Sequence, residues 1–267
     1  MTAGSLTVVG IGPGRLDWCL PDVAARIASA SDLVGYHTYL DLVAVETDAR
    51  RHPSDNRVEA DRAVFALDLA AGGGDVVVVS SGDPGVFAMA SAVIEQLDRW
   101  PERWHDVRLE VVPGVTAAQA VASRVGAPLG HDFCVVSLSD VLKPWEVIER
   151  RLDAAAGADF VIALYNPTSR HRPWQLERAV AVLSTHRSPD TPVVVGRDVG
   201  RPDEDVRVIT LGALADAGAD MRTVIVVGSS TTRVLPDRAL GASVYTPRWY
   251  GESADQRPVA SPNQSTA

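Results

Sequence analysis

Eight apolar, strand-like runs, set apart by turn residues and helically patterned stretches, constrain this chain more than any other feature. They occupy residues 6–11, 75–81, 108–112, 133–138, 159–165, 191–196, 206–210 and 222–228. Val/Ile/Leu-rich runs of this kind describe strands buried on both faces. Between them Val86, Ala90, Val93 and Leu97, and later Leu176, Ala179, Val180 and Leu183, recur at helical spacing. The alternation specifies an α/β fold with largely parallel pairing. No helix-length insert separates 191–196 from 206–210, which predicts a mixed later sheet.

Gly126, Pro128 and Gly130 interrupt the pattern and predict a boundary. The expected organisation is an N-terminal α/β domain over 1–126 and a C-terminal α/β domain over 127–252. Residues 253–267, rich in Ser, Pro, Gln and Ala, are expected to be a disordered tail. Residues 45–57 read as a polar loop.

The net charge of −9 disfavours nucleic acid and anionic membranes as partners. No run approaches 18 apolar residues, and the first twenty lack a basic segment followed by an apolar one, so neither a membrane span nor a signal peptide is expected. Cys19 and Cys134 are too few for a disulfide framework, and a cytoplasmic home follows as the expectation. Lys143 is the only lysine among 25 basic residues. Arginine's planar fork suits a polycarboxylate ligand, although a biased genome composition gives the same excess.

The first run breaks into Gly10, Gly12 and Gly14, with Pro13 between the last two. A dinucleotide loop would need glycine at position 15, where Arg15 stands, and Pro13 has no N–H to offer a phosphate. The stretch 80–90 follows the second run, and Asp83-Pro84 there reads as a helix N-cap and first helical residue. Gly82 and Gly85 flank that cap and would let a ligand approach the backbone. Residues 111–120 repeat the design, with a Pro113-Gly114 turn and Thr116 opening a small-residue helix. Three Gly/Pro strand exits at one sheet edge predict a crevice lined by backbone groups. The six histidines are scattered without metal-ligand spacing, and no nucleophile elbow or P-loop occurs.

In order and spacing, the segments at 10–14, 81–87 and 112–120 resemble the tetrapyrrole (corrin and sirohaem) methyltransferases over roughly residues 5–250. The resemblance implies a class III methyltransferase of two α/β domains, with S-adenosyl-L-methionine in the cleft between them, and a homodimer. A sulfonium nucleoside asks the glycine loop for shape rather than phosphate donors. Carried over by resemblance, Pro13, Ser81, Gly82, Asp83, Val86, Thr116 and Ala117 contact the cofactor, as do Asn166 and Gly200 in the C-terminal half.

Residues 136–152, 164–172, 196–204 and 244–250 resemble the branch that methylates carbon 17 of a precorrin and contracts the ring in cobalamin biosynthesis, with Trp249 departing from an expected glycine. Ring contraction calls for a general acid and base, for which His37, Ser139 and Asp140 are the candidates. The substrate's carboxylates call for local positive charge, and Arg170, His171 and Arg172 sit together after the run at 159–165. Pro144 is expected as the first residue of a helix. Three other readings stay open: a sister methyltransferase acting at another ring carbon, a nicotinamide-dependent oxidoreductase, and a non-catalytic tetrapyrrole carrier.

Overall fold

A computed structural model describes residues 4–55, 58–170, 172–235 and 243–250; the expected tail at 253–267 lies outside them. The first half runs β1 (Ser5–Gly10), α1 (Pro21–Ser29), β2 (Asp32–Tyr36), α2 (His37–Asp41), β3 (Arg50–Ser54), α3 (Glu59–Ala71), β4 (Asp75–Ser80), α4 (Met89–Arg99), β5 (Arg108–Val112) and α5 (Ala117–Val125). The second runs β6 (Gly126–Ala127), β7 (Phe133–Ser137), α6 (Trp145–Gly157), β8 (Val161–Tyr165), α7 (Gln175–Leu183), β9 (Pro192–Arg197), β10 (Asp205–Thr210), β11 (Thr223–Val227), β12 (Arg233–Val234) and β13 (Val244–Tyr245). No helix among the described residues is long and apolar enough to cross a membrane.

The first sheet is wholly parallel, in the order β3-β2-β4-β1-β5. Its inner strands β1 and β4 bury both faces, as their valine runs require. Val8, Val76 and Val78 pack under α3 and α4, while Val9, Val77 and Val79 pack against α1 and α2. The second sheet, β10-β9-β11-β8-β7, is mixed as expected, because β11 runs antiparallel to both β8 and β9. Helices α6 and α7 cover one face of it. The other face is covered by α5, whose Ala118, Val121 and Val125 pack on Val161, Ala163, Val194 and Val226. A Cβ at Gly196 of β9 would lie 2.4 Å from the Val121 side chain, so that glycine sets how closely α5 approaches.

Two local expectations are corrected. The stretch at 45–57 is not loop throughout, because β3 lies inside it. Its Arg50 and His52 are tied to Asp32, a carboxylate only 1% exposed at the start of β2. Pro53 is tolerated because β3 is an edge strand. Pro144 is the N-cap of α6, with extended backbone (φ −60°, ψ 148°), and Trp145 is its first helical residue.

All strands of the first sheet leave at one edge. In the second sheet β7, β8 and β9 share one direction, so the loops beginning at 138, 166 and 198 also share an edge. Helix α5 starts from the first edge and lies on the second sheet, which turns the two edges toward each other.

Candidate functional site

The seam between these edges begins as a knot of backbone. Gly12 and Gly82 exchange N–H···O bonds of 2.8 and 3.2 Å, and Ile11 donates to the Ser80 carbonyl at 3.0 Å. The hydroxyl of Ser81 reaches the Gly12 carbonyl at 3.5 Å. A Cβ at Gly10 would stand 2.3 Å from the Gly82 oxygen, and one at Gly114 would stand equally close to that oxygen and 2.6 Å from that of Gly10. These two glycines are dictated by packing. Gly82 differs: its φ is +67°, and a Cβ there would meet nothing closer than the Val115 oxygen at 3.9 Å and the Ala117 nitrogen at 4.0 Å. A Cβ at Gly82 would therefore touch the peptide that enters α5 without clashing with it.

Asp83 does not cap α4. Its carboxylate accepts from the Gly85 amide at 2.8 Å and from the Gly114 amide at 3.0 Å, bracketing the exits of β4 and β5. Helix α4 starts only at Met89, capped by Ala88, because Phe87 adopts a left-handed φ of 54° that no helix can continue through. Val86 therefore lies in the turn before the helix. Thr116 does cap α5, its hydroxyl accepting from the Gln119 amide at 3.3 Å.

From the second sheet, the Tyr165 hydroxyl accepts from the Ala118 amide at 2.9 Å, and its ring meets Phe87 at 5.5 Å, tilted by 61°. Burial, helped by Asp83, pushes the Tyr165 phenol above its ordinary value against the pull of Ala118 and Thr116. Next to it Asn166 holds a φ of 53°, and its amide donates to Ser137 Oγ at 2.9 Å. The Ser137 hydroxyl also accepts from the Ser139 amide at 3.3 Å.

Gly200 (φ +86°) faces the opening glycine loop, where a Cβ would lie 3.4 Å from the Pro13 ring and 3.2 Å from Trp18. Its amide donates to Glu204 at 2.7 Å, and Glu204 is held bidentately by Arg124 of α5 at 2.6 and 3.0 Å. Pro13 is buried, and its carbonyl accepts from Arg201. Asp198 lies beside this contact with Arg197 and Arg222 at 3.1 and 3.0 Å, and burial pushes its carboxyl up despite Arg197 and Arg201.

Of the substrate-side candidates, Arg172 Nε stands 4.0 Å from Asp140. Its Nη2 contacts Met221, and its buried Nη1 finds no hydrogen-bond partner among the described residues. Arg170 is exposed, and His171 lies outside the described residues. Lys143 donates to the Ser139 carbonyl at 3.3 Å, and burial, with Arg151 nearby, lowers its pKa. His37 is exposed at the start of α2, hydrogen-bonded to Thr38 and stacked on Tyr36, with no contact to Ser139 or Asp140 among the described residues. No group of three or more potential metal ligands occurs among the described residues.

Sequence reasoning missed Tyr165, Phe87, Ser137, Arg201 and the Arg124–Glu204 pair. The motif at 81–87 contained Phe87, but no local pattern announces a left-handed aromatic.

Among the described residues the cleft so assembled brings no nucleophile and base together, and it is suited to holding a reactive ligand against a second one. The family described as Tetrapyrrole (Corrin/Porphyrin) Methylases matches residues 5–215. The chain is 52% identical to a precorrin-3B C(17)-methyltransferase of Sinorhizobium, over 92% of this chain and 97% of that one. It is 53% identical to cobalamin biosynthesis protein CobIJ of Mycobacterium tuberculosis, covering 95% of this chain but spanning about half (50%) of that relative's length. The crystal structure of the methyltransferase CobJ superposes with a TM-score of 0.86 at 47% identity, covering 92% of this chain and all (100%) of that one. Matched by the family over residues 5–215 and sharing its frame with the CobJ structure, the chain belongs to the tetrapyrrole (corrin/porphyrin) methylases.

Proposed function

We propose that this chain transfers a methyl group from S-adenosyl-L-methionine to carbon 17 of precorrin-3B and contracts the ring to precorrin-4 in cobalamin biosynthesis. The observation that carries the reading is the seam itself, where Gly82 (φ +67°) faces the Val115–Ala117 peptide without a steric clash and Pro13 packs against Gly200. The residues fit a sulfonium nucleoside: polar contact comes from Ser81, Asp83, Thr116, Ala117 and Asn166, and the glycines leave room for the bulk. When bound, S-adenosylmethionine supplies an electrophilic methyl group on a neutral leaving group.

The chain's own contribution is alignment. Holding two reactants in line supplies about 7–11 kcal/mol of a barrier, without a protein nucleophile. The Asp83 bracket and the Tyr165–Ala118 bond fix the two walls relative to each other. In this reading Arg170, His171 and Arg172 receive substrate carboxylates. Asp140, held near Arg172, is the foremost candidate for moving a proton in ring contraction, with Ser139 beside it and His37 as the remaining candidate.

The units 1–126 and 127–252, a homodimer in solution and a cytoplasmic location complete the reading; light scattering tests the dimer. Calorimetric titration with S-adenosylhomocysteine tests the site. One site per chain at micromolar affinity, about −8 kcal/mol, is expected. Folded protein giving only heats of dilution contradicts it.

A further inference from the structure

Phe87 breaks two habits of its residue type. Its φ of 54° is one that bulky side chains avoid, and its side chain is half exposed (50%) although the structure could have buried it or placed glycine there. Strain of this kind persists only where surrounding structure enforces it, and it gathers at ligand sites. The enforcement is visible. Val86 donates to the Asp83 carbonyl at 3.2 Å and Ala90 to that of Pro84 at 2.9 Å, which closes the turn on both sides of Phe87. Tyr165, fixed by the Ala118 amide, backs the ring.

The surroundings select the occupant. Leu138 donates to the Tyr165 carbonyl at 2.9 Å, so the loop leaving β7 starts directly beside Tyr165. That loop carries Val141 and Leu142, exposed by 73% and 89%. Cations flank the same two loops: Lys143 on one, Arg170 and Arg172 on the other. Exposed apolar side chains and cations sharing the loops after β7 and β8 complement a flat conjugated ring rimmed by carboxylates better than a peptide or a membrane.

Resting on the proposed function, we infer that Phe87 is the aromatic platform against which the face of the macrocycle packs, a specificity-determining residue with Tyr165 as its positioning residue. The ring orients the macrocycle, while the cofactor is held by the backbone around Gly82 and Thr116.

Phe87→Gly tests this with the loss of the Tyr165 contact offset by relief of backbone strain, because glycine adopts a positive φ freely. Three quantities are read: the melting temperature, the affinity for S-adenosylhomocysteine, and KM for precorrin-3B. A fourth is the absorbance titration of uroporphyrin, a stable octacarboxylate, which needs no turnover. The inference expects an unlowered melting temperature, unchanged S-adenosylhomocysteine affinity, and a KM and a uroporphyrin Kd each raised about tenfold. Phe87→Tyr should restore both. An unchanged KM and uroporphyrin Kd overturn the inference, as does equal weakening of S-adenosylhomocysteine, which would make Phe87 a cofactor wall. Should the unaltered protein bind uroporphyrin in a Phe87-dependent way yet leave precorrin-3B unmethylated, the platform stands and the proposed function falls. Binding of neither tetrapyrrole overturns both.

Discussion

Arg201 donates from Nε to the carbonyl oxygen of Pro13 at 3.1 Å, joining residues 188 positions apart. The bond ties the glycine loop after β1 to the loop after β9, beside the contact of Pro13 with Gly200. Arg201 also stands 3.6 Å from the buried Asp198. Arg201→Met keeps the apolar stem and removes the donor, so stability should fall by about 1–3 kcal/mol in denaturant unfolding. S-adenosylhomocysteine should bind more weakly in the same variant, since Pro13 loses its anchor. Wild-type values for both would reduce the bond to an incidental contact.

Glycines of the seam should separate into two classes. Gly114→Ala forces a Cβ to 2.3 Å from backbone oxygen and should prevent stable folding. Gly82→Val would set its Cβ in ordinary contact with the peptide entering α5, so a ligand held there bears the added bulk, on top of the strain of a β-branched residue at φ +67°. S-adenosylhomocysteine affinity should drop at least about tenfold, or 1.4 kcal/mol, by calorimetry. Gly82→Ala separates the terms, because it carries most of the backbone strain and little of the bulk. If Ala weakens binding as much as Val, backbone conformation and not occupancy is responsible.

The strands that sequence made legible are those with continuous apolar runs, from the buried β1 and β4 to the more exposed β5 and β10. The buried β2, a short run broken by Gly35, was missed. β3 was hidden because "RRHPS" has no apolar period; it is held through Arg50 and His52 to Asp32, a partner some 18 to 20 positions away. Asp83 looked like a cap because its local sequence suits one, but the Gly114 amide, 31 residues on, takes its carboxylate. The glycine exits were readable, since tight turns mark themselves. The bonds that join the seam, Tyr165 to Ala118 and Arg201 to Pro13, link distant positions that no short-range pattern connects.

Asp32 gives the acid limb of stability its sign. Burial alone would raise its pKa, but hydrogen bonds from His52, Ser31 and Arg50 outweigh that and hold it below the ordinary carboxylate value. The unfolded chain, at about 3.9, then binds the proton more readily than the fold. Stability is therefore present in full above that value and is lost as pH falls through the folded pKa. Asp32→Asn should cost about 1–3 kcal/mol near neutrality and flatten the decline in melting temperature between about pH 5 and 3. Asp159 and Glu204, also lowered, preserve part of the slope. An acid limb as steep as the parent's would acquit Asp32.

Arg172 offers a buried Nη1 without a hydrogen-bond partner among the described residues, beside Asp140. A bidentate carboxylate contact there is worth about 1.5–3 kcal/mol. Arg172→Ala should raise KM for the tetrapyrrole about ten- to a hundredfold and leave S-adenosylhomocysteine affinity unchanged. Lysine at this position should recover only part, lacking the planar fork. Loss of both affinities would instead make Arg172 a support of the two loops.

Methyl transfer to one ring carbon is the claim on which the rest depends. Purified protein incubated with precorrin-3B and S-adenosylmethionine carrying a carbon-13 methyl group, followed by mass spectrometry and carbon NMR of the product, reads it directly. One labelled methyl per macrocycle, on carbon 17 of a contracted ring, with S-adenosylhomocysteine formed in equal amount, is the predicted result. Label on a different carbon, or no S-adenosylhomocysteine from protein that binds both ligands, would contradict it.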